Sequence, residues 1–263
     1  MEYTKIILKV EEGIATLTLN SPENLNALNL PMYTEITDAL KVVDEDETIK
    51  ALIINSSGRA FCGGGDIGEM VDNLEKTGDL GFDNLAVMAA NISKKIKLMS
   101  KPVIAAVNGA CAGAAANISI ACDFTIASED VKFIQAFKGI GLIPDAGGVY
   151  LLTRAVGVAK ATELAMLGRP VKAEEALQLG LAYKVVPKEE LMNEAYALAG
   201  TLAKGPGKAF AALKQLIYEA QYKDFDEYMP KEVSTQVELG KTEDFSEGIA
   251  AFLEKRPAVF KGK

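Results

Sequence analysis

Two short apolar runs, Ala51 to Asn55 (ALIIN) and Pro102 to Val107 (PVIAAV), constrain this chain more than any other feature. Each reads as a buried strand. They lie about 50 residues apart, and each is followed by a glycine-containing loop and then a helical pattern. The arrangement predicts an α/β fold built from repeated strand–strand–helix turns of a spiral, although residue identity between the repeats is weak.

The flanking segments fit that frame. Lys5 to Val10 and Ile14 to Leu19 alternate and are rich in β-branched residues, with Glu11-Glu12-Gly13 as a hairpin turn between them. Pro31 opens a helix whose apolar spacing runs from Met32 to Val43. Further helices are expected over Leu85 to Leu98, Gly113 to Ala121 and Tyr150 to Ala155, and a strand over Cys122 to Ala127. From about Val171 the pattern turns helical: Lys172 to Leu179, Lys188 to Leu202, Gly207 to Ala220, Phe225 to Leu239 and Asp244 to Lys255. The expected division is a spiral core over residues 1–195 and a helical assembly region over 196–263.

Composition excludes several function classes. The chain has no histidine, which removes the imidazole base, Ser-His and Cys-His nucleophile pairs and most catalytic zinc sites. A formal charge of −8 makes a general nucleic-acid partner a poor expectation. Three cysteines, Cys62, Cys111 and Cys122, form no CxxC pair and fit a reducing cytoplasm rather than a disulfide framework. No apolar stretch reaches the roughly 18 residues of a membrane span, and the N-terminus lacks the pattern of a signal peptide.

Three segments could carry chemistry. In Phe61-Cys62-Gly63-Gly64-Gly65-Asp66-Ile67 the glycines either make a tight strand-to-helix turn or let backbone N–H groups approach a ligand. In Asn108 to Asn117 small residues open a helix, which serves either close packing or an oxyanion at the helix start. Asn117 in that run reads first as a satisfied buried amide and second as a substrate-facing donor. In Gly141 to Gly148, Asp145 is either a turn and helix-cap residue or a carboxylate in an apolar pocket, where burial raises its pKa and suits it to proton transfer.

The order FCGGGDIGEM, KPVIAAVNGACAGAAANISIACDF, FIQAFKGIGLIPDAGG and EGIAAFLEKRPAVF resembles the crotonase (enoyl-CoA hydratase/isomerase) superfamily over essentially the whole chain. That resemblance implies a ClpP-like spiral of ββα turns with C-terminal trimerisation helices, a homotrimer or homohexamer, and an acyl thioester substrate on CoA or an acyl carrier protein, with no separate cofactor and no metal. It implies that the backbone N–H groups of Gly65 and Ala114 receive the thioester oxygen. It further implies substrate contacts at Asn24, Leu25, Gly63, Asp66, Ile67, Asn117, Phe137, Phe252 and Lys255.

The family's hydratases activate water with two glutamates, and here the matching positions are Asn117 and Phe137. Asp145 remains, at a position where some members that shift double bonds keep their acid/base. The resemblance therefore implies an isomerase moving a trans-2 double bond to cis-3, with Asp145 as the catalytic carboxyl. Hydration by a relocated acid, or a catalytically inactive binding member, stay open. A dehalogenase branch also has an aspartate there, but it uses histidine and tryptophan, and this chain has neither. Basic positions common in hydratases are Glu23 and Gly68 here, whereas Lys255, Arg256, Lys261 and Lys263 make a basic tail that either meets the carrier or frays in solvent.

Overall fold

The computed structural model describes residues 2–77 and 82–263. The alternating N-terminal segments form an antiparallel hairpin, β1 (Ile6–Glu11) and β2 (Ile14–Leu19), turned by Glu12 and Gly13 at positive φ. The first helix, α1 (Leu30–Glu45), takes Pro31 in its first turn, and Asn29 Oδ1 caps it by accepting the Met32 N–H at 3.0 Å. The chain continues through β3 (Ala51–Ser56), α2 (Ile67–Thr77), α3 (Phe82–Leu98), β4 (Val103–Val107), β5 (Ala110–Ala112), α4 (Ala114–Ala121), β6 (Phe124–Ser128) and β7 (Lys132–Ile134). A 3₁₀ turn, Ala136–Ile140, leads to α5 (Gly148–Val156), α6 (Val158–Leu167), β8 (Pro170–Lys172), α7 (Ala173–Gln178) and β9 (Lys184–Val186). Four helices follow: α8 (Leu191–Ala203), α9 (Gly207–Gln221), α10 (Phe225–Leu239) and α11 (Glu243–Glu254).

A six-stranded sheet in the order β1-β2-β3-β4-β6-β9 is parallel from β2 onward. A smaller sheet orders β5-β7-β8. The long strands thus all lie in the first sheet, and the second is made of three strands of three residues each. The glycine loop joins the second layer through a parallel Cys62–Cys111 bridge beside the β5–β7 pair.

The continuous apolar runs follow from burial on both faces. Leu52, Ile54, Val103, Ala105 and Val107 face the main core with α1 and α3, while Ala51, Ile53, Ile104, Ala106 and Ile126 face Leu191, Ala195 and Ala199 of α8. Two expectations need correction. β9 was not legible in the stretch expected to be helical, yet it pairs with β6 at the sheet edge. The division at 195/196 falls inside α8, whose Leu191, Ala195 and Ala199 cover that face of the sheet, so the core extends past it.

Candidate active site

The glycine loop, the starts of α2 and α4, the segment before α5 and the end of α11 wall a cavity of about 360 Å³. Gly63, Gly64, Gly65, Ile67 and Met70 come from the glycine loop and α2, Gly113 and Ala114 from the start of α4, Phe137 and Asp145 from the segment before α5, and Ala251, Phe252, Arg256 and Ala258 from α11 and the tail. Small residues let the first two groups meet. A Cβ on Gly113, which sits at φ +56°, would lie 3.5 Å from the Gly64 Cα. The Gly65 N–H and the Ala114 N–H, the latter at the first position of α4, have no acceptor among the described residues. The wall therefore carries two free backbone donors where a helix end adds partial positive charge.

Asp145 is the carboxyl group in this wall. It is 9% exposed, its Oδ1 has no hydrogen-bond partner among the described residues, and its Oδ2 accepts from Gln236 Nε2 at 3.4 Å. Burial pushes the carboxyl up to about 7, opposed by the Gln236 amide. Ala146 and Gly147, next in the chain, both adopt left-handed backbone, which for alanine costs about 1–2 kcal/mol. That cost is met by anchors on α10. Gln236 accepts from the Ile143 N–H at 3.1 Å and donates to the Ile143 carbonyl at 2.9 Å. Glu232 accepts from the Gly147 N–H at 2.7 Å and from the Tyr228 hydroxyl at 3.0 Å. Burial pushes Glu232 up to about 8, the Gly147 N–H opposes that, and the Asp145 charge adds to it.

The first reading of Asn117 holds. It is fully buried, donates from Nδ2 to the Asp145 carbonyl at 2.8 Å and accepts from Gln135 Nε2 at 2.8 Å. It does not line the cavity, so the expected substrate contact is corrected to a clamp on the Asp145 backbone. The Asp145 side chain does not cap α5; the Gly147 N–H at that helix start goes to Glu232 instead.

Gly63, Gly65, Ile67, Ala114, Phe137, Asp145 and Phe252 are brought together around one cavity, while Asn24, Leu25, Asp66 and Lys255 are not among its lining. Asp66 caps α2, accepting from the Glu69 N–H at 3.2 Å and from Asn24 Nδ2 at 3.2 Å. Leu25 gives its carbonyl to the Gly63 N–H at 2.9 Å and so shapes the glycine loop. Lys255 ends α11 in a left-handed conformation, and the next residue, Arg256, reaches the wall.

The tail is held against α11, and Arg256 is the one of its four cations with an ion pair among the described residues. Arg256 pairs with Glu247 and Glu254, and the Lys261 and Gly262 N–H groups donate to the Asp244 carboxylate at 2.6 and 2.8 Å. Sequence reasoning also missed Tyr33, Glu232 and Gln236. A signal existed: Phe225, Met229, Glu232 and Gln236 share the buried stripe of α10 at helical spacing, so two polar residues continue an apolar face.

The profile of the family described as "Enoyl-CoA hydratase/isomerase" matches residues 9–263. The chain belongs to this family. It is 41% identical, over the full length of both chains, to the trans-2-decenoyl-[acyl-carrier-protein] isomerase of Streptococcus mutans. It is 40% identical, again over both full lengths, to the 1,2-epoxyphenylacetyl-CoA isomerase of Escherichia coli, and 38% identical to the crotonyl-CoA hydratase of Syntrophomonas wolfei, also over both full lengths. Among solved structures, an enoyl-CoA hydratase from Mycobacterium avium subsp. paratuberculosis superposes with a TM-score of 0.89 at 32% identity, covering 99% of this chain and 100% of that one. Membership in the enoyl-CoA hydratase/isomerase family makes the chain an enzyme of hydratase/isomerase type with the crotonase fold. Among the described residues no helix is long and apolar enough to cross a membrane.

Proposed function

We propose that this family member is an enoyl-thioester double-bond isomerase of fatty-acid metabolism, converting trans-2 to cis-3 enoyl chains on CoA or an acyl carrier protein. One observation carries this reading. Asp145 is the only carboxyl side chain among the described residues lining the cavity, and its Oδ1 is unpaired there. The positions matching the hydratase glutamates are occupied by an amide already committed to the Asp145 carbonyl and by a phenyl ring on the cavity wall. Neither can activate water. The names of the Streptococcus and Escherichia relatives support an isomerase, while the Syntrophomonas name supports the hydratase alternative.

On this reading the thioester oxygen accepts from the Gly65 and Ala114 N–H groups. Ionised Asp145 takes a proton from C4. The C4–H electron pair becomes the C3–C4 double bond, the original C2–C3 pair moves to C1–C2, and the oxygen holds the charge as a dienolate. Asp145 then returns the proton to C2. The double bond has moved and no atom has been gained. One carboxyl serves both steps because C4 and C2 lie on one side of an extended chain. A pKa near 7 suits a group that must be base and then acid. Removing one backbone donor would cost about 10²–10³ in turnover by analogy with other oxyanion sites. Phe137, 7% exposed, occupies wall area that a water-binding glutamate would otherwise wet.

The assembly proposed is a homotrimer or homohexamer in the cytoplasm. Strongly exposed Val158, Met166 and Leu167 on α6 support an assembly face, and three buried free thiols fit a reducing compartment. Incubation with trans-2-decenoyl thioesters on both carriers tests the function. Loss of the conjugated-enoyl absorbance without a change in product mass is the expected result. A product heavier by one water supports the hydratase, and no turnover on any 2- or 3-enoyl thioester supports an inactive binding member.

A further inference from the structure

The cavity holds a polar group for which the proposed mechanism has no role. Three side chains bring polar atoms to its wall among the described residues: Asp145, Arg256 and Tyr33. Arg256 is committed to Glu247 and Glu254. Tyr33, in the first turn of α1, is 3% exposed, and its hydroxyl has no hydrogen-bond partner among the described residues. A buried hydroxyl is ordinarily paired, and an unmade bond costs about 1–3 kcal/mol, so such a group inside a cavity points to a ligand or ordered solvent.

Asp145 Oδ1 is a second orphan on the same wall. The two are complementary, because a phenol can donate where a carboxylate can only accept. Tyr33 also keeps its proton. Burial first, then the nearby Asp145 and Cys62, hold the phenol well above its ordinary value, so it remains a donor wherever Asp145 titrates.

We infer that Tyr33 is a positioning residue for the base: with Asp145 Oδ1 it holds a bridging water in the free enzyme, and this favours and orients the ionised carboxylate. The water is satisfied by accepting from the phenol and donating to the carboxylate. The other groups that face Asp145 are already engaged. Gln236 meets Oδ2, Asn117 meets the backbone carbonyl, Glu232 caps Gly147, and Arg256 is paired. With the Gly65 and Ala114 N–H groups assigned to the thioester oxygen, Tyr33 is the side-chain donor left in the wall for Oδ1. The inference rests on Asp145 acting as the base of the proposed isomerase.

The test is a ¹³C-carboxyl NMR titration of wild type and Y33F, with D145N identifying the Asp145 resonance, alongside kcat/KM against pH on a decenoyl thioester. In Y33F the Asp145 midpoint is expected to rise from about 7 by roughly half a unit or more. The acid limb of kcat/KM moves with it, so turnover below the midpoint falls about threefold more than turnover at pH 9. Tyr33→Met, also without a donor, must shift the midpoint the same way, which guards against a folding defect particular to one variant. An unchanged or lowered midpoint in both variants overturns the inference, as does a loss of activity equal at every pH. If wild type shows no isomerase turnover, the proposed function fails, and the titration still decides the role of Tyr33.

Discussion

Asp145→Asn separates the stability of the fold from the chemistry of the site. The carboxyl rises from 3.8 to about 7 on folding, through burial. Its folded pKa is raised, so between these two values the folded state holds a proton that the unfolded state has released. Stability therefore falls as pH rises through that window. At about 1.36 kcal/mol per unit, the cost to wild type is about 1.5 kcal/mol at pH 5 and levels near 4 kcal/mol above pH 7. Asparagine never ionises and keeps an oxygen for Gln236. The variant should match wild type near pH 4 and exceed it progressively toward pH 8, while isomerase turnover falls about 10²–10⁴-fold. Urea unfolding of both proteins at pH 4, 5 and 8 measures the gap. A gap that does not widen with pH would refute the claim that Asp145 is buried at a cost, and retained turnover would remove it as the base.

Other perturbations follow from the same neighbourhood. Asn117→Ala strands the Gln135 amide and leaves the Asp145 carbonyl with only the Gly148 N–H; an unfolding free energy lower by about 1–3 kcal/mol is expected in urea. Gly148→Ala would set a Cβ 2.2 Å from Asn117 Nδ2 and 2.8 Å from the Pro144 Cβ; a destabilisation of about 1–3 kcal/mol, read as a lower Tm, is expected with turnover falling as the loop shifts. Arg256→Ala removes the tie between the tail and Glu247; because such partly exposed pairs contribute at most about 1 kcal/mol, global stability should hold while limited proteolysis after Arg256-distal residues accelerates.

The sequence carried the long strands because both their faces are buried, so composition alone marks Ala51–Ser56 and Val103–Val107. It could not carry β5, β7, β8 and β9, each three residues long and too short to establish a period. Asp145 was legible as a carboxylate among apolar neighbours. Its supports were not, because Gln236 lies 91 residues further along the chain and Tyr33 lies on the first helix. What holds the tail was not legible for a related reason. Counting Lys255, Arg256, Lys261 and Lys263 as a local cluster passed over Glu247 and Asp244, which the helix preceding the tail holds within reach.

The three thiols offer a built-in reporter. Cys62 and Cys111 bridge the glycine loop to the second sheet, Cys122 follows α4, and burial pushes Cys62 and Cys122 up to about 12 and holds Cys111 well above the ordinary thiol value. A thiol that is both enclosed and protonated does not react with an alkylating reagent. Labelling of Cys62 at neutral pH would then time the transient opening of the segment carrying the Gly65 amide, without any dye or engineered label in the protein.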